Sequence, residues 1–339
     1  MISEDYARRV HCEAVVIDTH CDSLACVLRG ERPLHERSSI GHVDFPRLKE
    51  GGVTGQVFAC GVHVFGARSS QPTQLFLRMA DTLHQEVEAC KNLALFATTG
   101  AAIIRAKQKG KVAAILGMED GAPIAGDLGI LRMFYQIGLR VVCLVWGPSN
   151  EIGDGVSKRT DSGNGLTSFG LSLIREMNRL GMLIDVAHLN EKGFWDVIEH
   201  SMDPFIDSHA NARGLYDHLR NLTDKQIRAL AEKGGVVHAV FTFLDADPAK
   251  ATLERVLDHI EYMVDLVGPE HVGIGSDFDG LSADAPTGLE DVTCIPRITN
   301  GLLTRGYPED AVKAILGGNF LRVFRTVTEK IALNQASFA

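Results

Sequence analysis

Eight short apolar runs alternate with segments of helical period along this chain, and that alternation limits its fold more than any other feature. The runs are VVIDTHCD (15–22), VTGQVFACGVH (53–63), KVAAILGMED (111–120), LRVVCLVWG (139–147), LIDVAHL (183–189), PFIDSHA (204–210), GGVVHAVF (234–241) and HVGIGSD (271–277). Runs of this length and composition suit buried strands. The segments between them read as helices. Phe169, Leu173, Met177 and Leu180 share one face of 167–181, and Gly181 suits a C-terminal cap. Thr223 and Gln226 make a capping-box pattern ahead of 223–233. Leu253, Leu257, Ile260, Val264 and Val267 form a stripe along 251–267, while 72–90 and 308–328 each carry Pro near the start. Strands that alternate with helices pair in parallel, and eight of them favour a closed (β/α)8 TIM barrel over an open doubly wound sheet. No GxGxxG follows the first run, so a dinucleotide-binding fold has little support. The expectation is one barrel domain over 1–339, with long loops at about 148–166 and 278–298.

Composition narrows the function classes. Apolar residues are 45% and charged residues 23%, an ordinary globular balance, and the net charge of −9 argues against a nucleic-acid or anionic-membrane surface. No run reaches the roughly 18–20 apolar residues of a membrane span. The N-terminus lacks the apolar core of a signal peptide, and EKIALNQASFA at the C-terminus is too short and polar for a lipid-anchor signal. The seven cysteines (12, 21, 26, 60, 90, 143, 294) show no CxxC spacing and read as free thiols of a reducing compartment. A cytoplasmic protein is the expectation.

The runs end in a consistent way. The first closes on His20 and Asp22, the third on Glu119, the fifth on His188, the sixth on His209 and the eighth on Asp277. In a barrel the C-terminal strand ends converge on one mouth. Three imidazoles and three carboxylates there exceed what a core layer tolerates unless hydrogen bonds or metal satisfy them. Imidazole with carboxylate suits Zn²⁺ and its neighbours, and the set is large enough for two ions. A carboxylate such as Glu119 can bridge them, which leaves Asp277 as the spare group to take and return a proton. His63 and His238, on the second and seventh runs, could also reach the mouth, whereas His84 reads as a surface residue.

The chain resembles the membrane (renal) dipeptidase family of the amidohydrolase superfamily. The resemblance spans about residues 14–327 and is carried by VIDTHCD (16–22), GMEDG (117–121), GLTSFG (165–170), MNRLGMLIDVAH (177–188), SHA (208–210) with HLRNLTD (218–224), and GIGSDFDG (273–280). It implies a (β/α)8 barrel with a two-zinc centre that hydrolyses dipeptides, including pairs with a D-residue at the C-terminus. By motif position, His20 and Asp22 resemble the ligands of one metal, Glu119 the bridge, and His188 and His209 the ligands of the other. Asp277 resembles the general base and acid, and Asp279 a supporting residue. Arg220 resembles the residue that binds the substrate carboxylate, a role its planar fork suits. The chain departs from the family at the end of the fourth strand, where a histidine contacts the scissile carbonyl region. LVWGPSN (144–150) places Trp146 there. Four readings follow: the indole N–H serves the oxyanion, the metal alone serves it, the substrate differs, or Trp146 packs at the mouth while a neighbour takes over. The substrate classes are therefore dipeptides or, in a related two-metal hydrolase, N-acyl amino acids and other small amides or esters. A homodimer is the expected assembly.

Overall fold

The computed structural model describes residues 2–65 and 71–330. Its strands are β1 (Ile17–Cys21), β2 (Gly55–Gly61), β3 (Ala94–Phe96), β4 (Val112–Glu119), β5 (Leu139–Cys143), β6 (Leu183–Asp185), β7 (Ile206–Asp207), β8 (Val236–Ala239) and β9 (Val272–Ile274). All pairs are parallel, in the order β1-β2-β4-β5-β6-β7-β8-β9. The ring closes where Asp22 N–H donates to the Phe278 carbonyl at 2.9 Å and Asp277 N–H to the His20 carbonyl at 3.2 Å. This is the (β/α)8 barrel expected from the alternation.

The sequence missed one strand. β3 is three residues long and pairs with Val112–Ala114 of β4, whose later residues pair with β5. Ala94–Phe96 carries too few residues to show a period. The eight expected strands are also shorter than their apolar runs. Trp146, His188, His209 and Asp277 all lie past the last paired residue of their strand.

Four helices fall close to their expected bounds: Pro72–Ala89, Ser168–Leu180, Asp224–Glu232 and Leu253–Val267. Gly181 caps the second at φ 74°, and the Thr223–Gln226 capping box is present in both directions. The expected helix 308–328 is instead three pieces, Glu309–Lys313, a wide π-type turn Ala314–Gly318, and Asn319–Thr328. The break follows from close packing: a Cβ at Gly317 would collide with the Val15 carbonyl oxygen and with Ile17 at the start of β1. Residues 148–166 form the expected loop, but the loop after β9 ends earlier than 298, because Pro296 begins the helix Pro296–Thr304. The last nine residues, 331–339, lie outside the described residues. No helix among the described residues is long and apolar enough to cross a membrane.

Helix Asn319–Thr328 closes the bottom of the barrel. Its Phe320, Val323, Phe324 and Val327 join Ile17, Val57, Ile115, Val141, Leu183, Ile206 and Val236 in one buried cluster. Phe320 is 1% exposed and stacks on Phe324 at 5.3 Å. Phe320→Ala is expected to cost about 3–5 kcal/mol of stability through the cavity it leaves. Urea unfolding of metal-free protein would show this as a lower midpoint with an unchanged slope.

Candidate metal centre and active site

The chain brings the six strand-end residues together by a different device at each strand. On β1 a period of two would put Asp18, His20 and Asp22 on one face. Pairing with β2 slips between Asp18 and Cys21, and this bulge separates them. Asp18 turns to accept from Ser276 N–H at 2.8 Å and Ser276 Oγ at 2.6 Å, which locks β1 to the segment after β9. His20 and Asp22 meet each other, with Nε2 to Oδ2 at 3.5 Å. Glu119 is the last residue of β4. His188 and Asp277 each sit three residues beyond a strand, at φ 65° and 63°. That left-handed backbone costs a non-glycine residue about 1–2 kcal/mol, so the surroundings must hold both residues there.

Glu119 Oε1 is the focus. It lies 2.9 Å from His188 Nε2, 3.6 Å from His209 Nε2 and 3.7 Å from His20 Nε2. His20 Nε2 is also 3.8 Å from Asp277 Oδ1, and the Nε2 atoms of His188 and His209 are 3.0 Å apart. Behind His209, Nδ1 meets Ser208 Oγ at 2.7 Å, and Ser208 Oγ donates to Asp185 Oδ2 at 2.5 Å. Because the serine spends its proton on Asp185, His209 Nδ1 must be the donor in the other bond. Its Nε2 then presents a lone pair to the mouth. Sequence reasoning did not single out Asp185 and Ser208, since neither stands at a strand end in a ligand-like pattern. Gly280 packs where any Cβ would collide with Asp22 Oδ2, which explains the glycine that ends DFDG.

Charge is strained here without a counter-ion. Burial works against a cationic His20, but Glu119, Asp22 and Asp277 outweigh it and push its pKa up to about 10. Burial, with Asp22 adding, drives the Glu119 carboxyl well above the usual range. Burial likewise raises Asp277 to about 7, with His20 opposing. Burial and neighbouring cations hold His188 and His209 well below 6.5, hence neutral. His20 Nε2, Asp22 Oδ1 and Glu119 Oε2 are buried without a hydrogen-bond partner in the protein. Each such orphan costs roughly 1–3 kcal/mol, which a bound cation would offset. Donor atoms within 4.8 Å of one another form three sets: His20, Asp22 and Glu119; Glu119, His188 and His209; His20, His209 and Asp277. The chemistry of these donor sets fits divalent cations, and Glu119 belongs to two of the three.

Arg220 sits beside these groups and is only 7% exposed. Its Nη2 donates to the His209 carbonyl at 2.9 Å, its Nε is buried without a partner, and it makes no ion pair among the described residues. A surface salt bridge is therefore not its role. With His188 it lines a cavity of about 270 Å³ whose walls mix Val156, Leu189 and Leu222 with Lys158, Asp207 and Arg213. A larger cavity of about 760 Å³ lies at the other end of β2 and β4 and holds none of these residues. Trp146 packs at the mouth, face to face with His63 at 4.1 Å and tilted on His188 at 6.1 Å. His63 reaches the centre from a short turn past the end of β2, with Nε2 3.5 Å from Glu119 Oε2. His238 instead meets the Asp207 carbonyl at 2.8 Å and lies edge-on to Phe320. Asp279 braces the 32–42 loop, accepting from Arg32, Ser23 Oγ and His42 N–H.

The family model described as membrane dipeptidase (peptidase family M19) matches residues 4–337. The chain is 32% identical over 311 residues to Dipeptidase tcpJ of Claviceps purpurea, covering 87% of this chain and 71% of that one. It is 37% identical over 241 residues to an uncharacterised protein in the pqqA 5′ region of Klebsiella pneumoniae, covering 68% of this chain and 88% of that one. A crystal structure of a metallo peptidase from Rhodobacter sphaeroides, liganded with a phosphinate mimic of the dipeptide L-Ala-D-Ala, superposes with a TM-score of 0.86 at 32% identity. It covers 93% of this chain and 99% of that one. The family-model match over residues 4–337 places this chain in the membrane dipeptidase family, peptidase family M19.

Proposed function

We propose that this chain hydrolyses dipeptides at the barrel mouth, with Glu119 bridging two divalent cations and Asp277 carrying the proton. The observation that carries this reading is the place of Glu119 in two donor sets at once. His20 and Asp22 would hold one ion, and His188 and His209 the other. Zn²⁺ is the first ion to test, because imidazole and carboxylate donors suit it. When bound, such ions would supply Lewis acidity, which polarises a carbonyl and makes water a better nucleophile.

The remaining work belongs to the protein. Asp277 accepts the proton of the attacking water and returns it to the nitrogen of the leaving amine, so that one carboxyl serves both halves of the cleavage. Arg220 takes the substrate's C-terminal carboxylate through its unpartnered Nε edge and so fixes how far the scissile bond lies from Glu119. The cavity beside it takes the C-terminal side chain, and the relative that holds an L-Ala-D-Ala mimic directs attention to a D-residue at that position.

The test is release of amino acids from a panel of dipeptides, L,L and L,D, with N-acyl amino acids and esters as comparators and zinc supplied. Cleavage of N-acyl amino acids or esters with none of the dipeptides would overturn the substrate assignment. Arg220→Met is expected to lower kcat/KM on dipeptides about 10–100-fold, the worth of one charged hydrogen bond of roughly 1.5–3 kcal/mol. The same change should scarcely alter the slow turnover of C-terminally amidated dipeptides, which offer no carboxylate. Equal losses on both substrates would remove Arg220 from this role.

A further inference from the structure

We propose that His63 is a positioning residue for Glu119, clamped for that task by Trp146, and that it strengthens the hold of the centre on a divalent cation. The inference rests on the metal-centre reading of the mouth and extends it to a residue outside the ligand set.

Gly61, the last residue of β2, leaves the space in which three polar groups converge. A Cβ there would lie 2.8 Å from His63 Cε1, 3.0 Å from Asp22 Oδ1 and 3.2 Å from Glu119 Oε2. Glu119 Oε1 faces three imidazoles, the nearest, His188, at 2.9 Å and the others at 3.6 and 3.7 Å. Oε2 is buried with no hydrogen-bond partner, and its two lone pairs leave room for an N–H donor beside a cation. His63 Nε2 is 3.5 Å away, a few tenths of an ångström beyond an ordinary N–H···O bond. Such contacts tighten when the site fills. A neutral imidazole has one N–H to give, and Nε2 is where Glu119 can accept it.

His63 acts through Glu119 rather than as a ligand. The donor sets within 4.8 Å include His20, Asp22 and Glu119, and none includes His63. Its side chain is 9% exposed, and its ring lies 4.1 Å from the Trp146 ring at 10° between planes. That stack fixes the plane of the imidazole and so the direction of Nε2. It also gives Trp146 a function that needs no proton chemistry of its own. Partners that orient metal-binding carboxylates are worth about 10–100-fold in metal affinity.

The experiment measures Zn²⁺ dissociation constants by competition with a chromophoric chelator, starting from metal-free full-length protein. His63→Phe keeps a ring on Trp146 and removes both nitrogens. His63→Gln keeps a donor near the position of Nε2, and His63→Met has the same length with none. The expected result is a loss of about 10–100-fold for one ion in His63→Phe and His63→Met, with His63→Gln recovering most of it. Wild-type affinity in His63→Met, or a loss in His63→Gln equal to that in His63→Met, would overturn the proposal. If His63→Phe fails to fold, as its melting curve would show, the Gln and Met pair makes the same comparison. Wild-type protein that takes up no cation overturns the metal-centre reading itself, and this inference with it.

Discussion

Glu119→Gln is expected to abolish dipeptide hydrolysis, with a loss well beyond the roughly 100-fold that supporting partners of a metal site cost. Gln has the shape of Glu but lacks its charge, and Glu119 belongs to both halves of the centre. A single substitution therefore weakens two ion sites at once. His188→Gln, by contrast, touches one set only. Metal analysis after dialysis should find Glu119→Gln depleted of both ions and His188→Gln depleted mainly of one. The stability of the metal-free protein should move the other way. Burial drives the Glu119 carboxyl well above its usual range, so an ionised Glu119 costs the empty site free energy that Gln does not. Glu119→Gln should thus melt higher than wild type without metal and gain less from added Zn²⁺. A variant that retains two ions and near wild-type turnover would remove Glu119 as the bridge.

The sequence carried the architecture because the barrel repeats one rule: a buried parallel strand reads as a short apolar run, and eight runs between helical segments leave few alternatives. It also carried the residues at the mouth, since a polar side chain that ends an apolar run has no place in a core layer. What it could not carry were departures from regular geometry. The slip in β1 that splits Asp18 from His20 depends on where β2 stops matching it, and no local pattern in VVIDTHCD marks that point. The left-handed backbone at His188 and Asp277 is a tertiary constraint imposed on residues that do not require it. The break at Gly317 answers to the backbone of Val15 and Ile17, some three hundred residues earlier in the chain. His63 stands two residues past a strand end, where period alone cannot tell a ring turned inward from one turned to solvent. Its stack on Trp146 joins the second run to the fourth, and only the fold brings those two together.

Asp277→Asn is expected to lower kcat on dipeptides by about 10²–10⁴-fold while leaving two ions bound. The amide keeps the size of Asp277 but can neither take nor return a proton. The metal content is the discriminating readout, because Asp277 also lies in a donor set with His20 and His209. Loss of an ion on substitution would make Asp277 a ligand, and loss of turnover with both ions kept makes it the proton carrier. The pH dependence of the metal-free protein gives an independent check. Burial chiefly, with Asp22 adding and His20 opposing, raises the Asp277 carboxyl to about 7, against 3.8 for an unperturbed one. Between those values the folded chain holds a proton that the unfolded chain has released. The contribution of Asp277 to metal-free stability should therefore fall as pH rises from about 4 to about 7 and change little above that. The readout is the difference between the two proteins: Asp277→Asn should gain metal-free stability relative to wild type across that range, while Asp207, His188 and His209 contribute alike to both. Added Zn²⁺ should stabilise the protein more as pH rises, because cations favour ionised carboxylates and neutral imidazoles, and both become more available as pH rises. The group that destabilises the empty site near neutral pH is then the one whose ionised form the loaded site needs to begin hydrolysis.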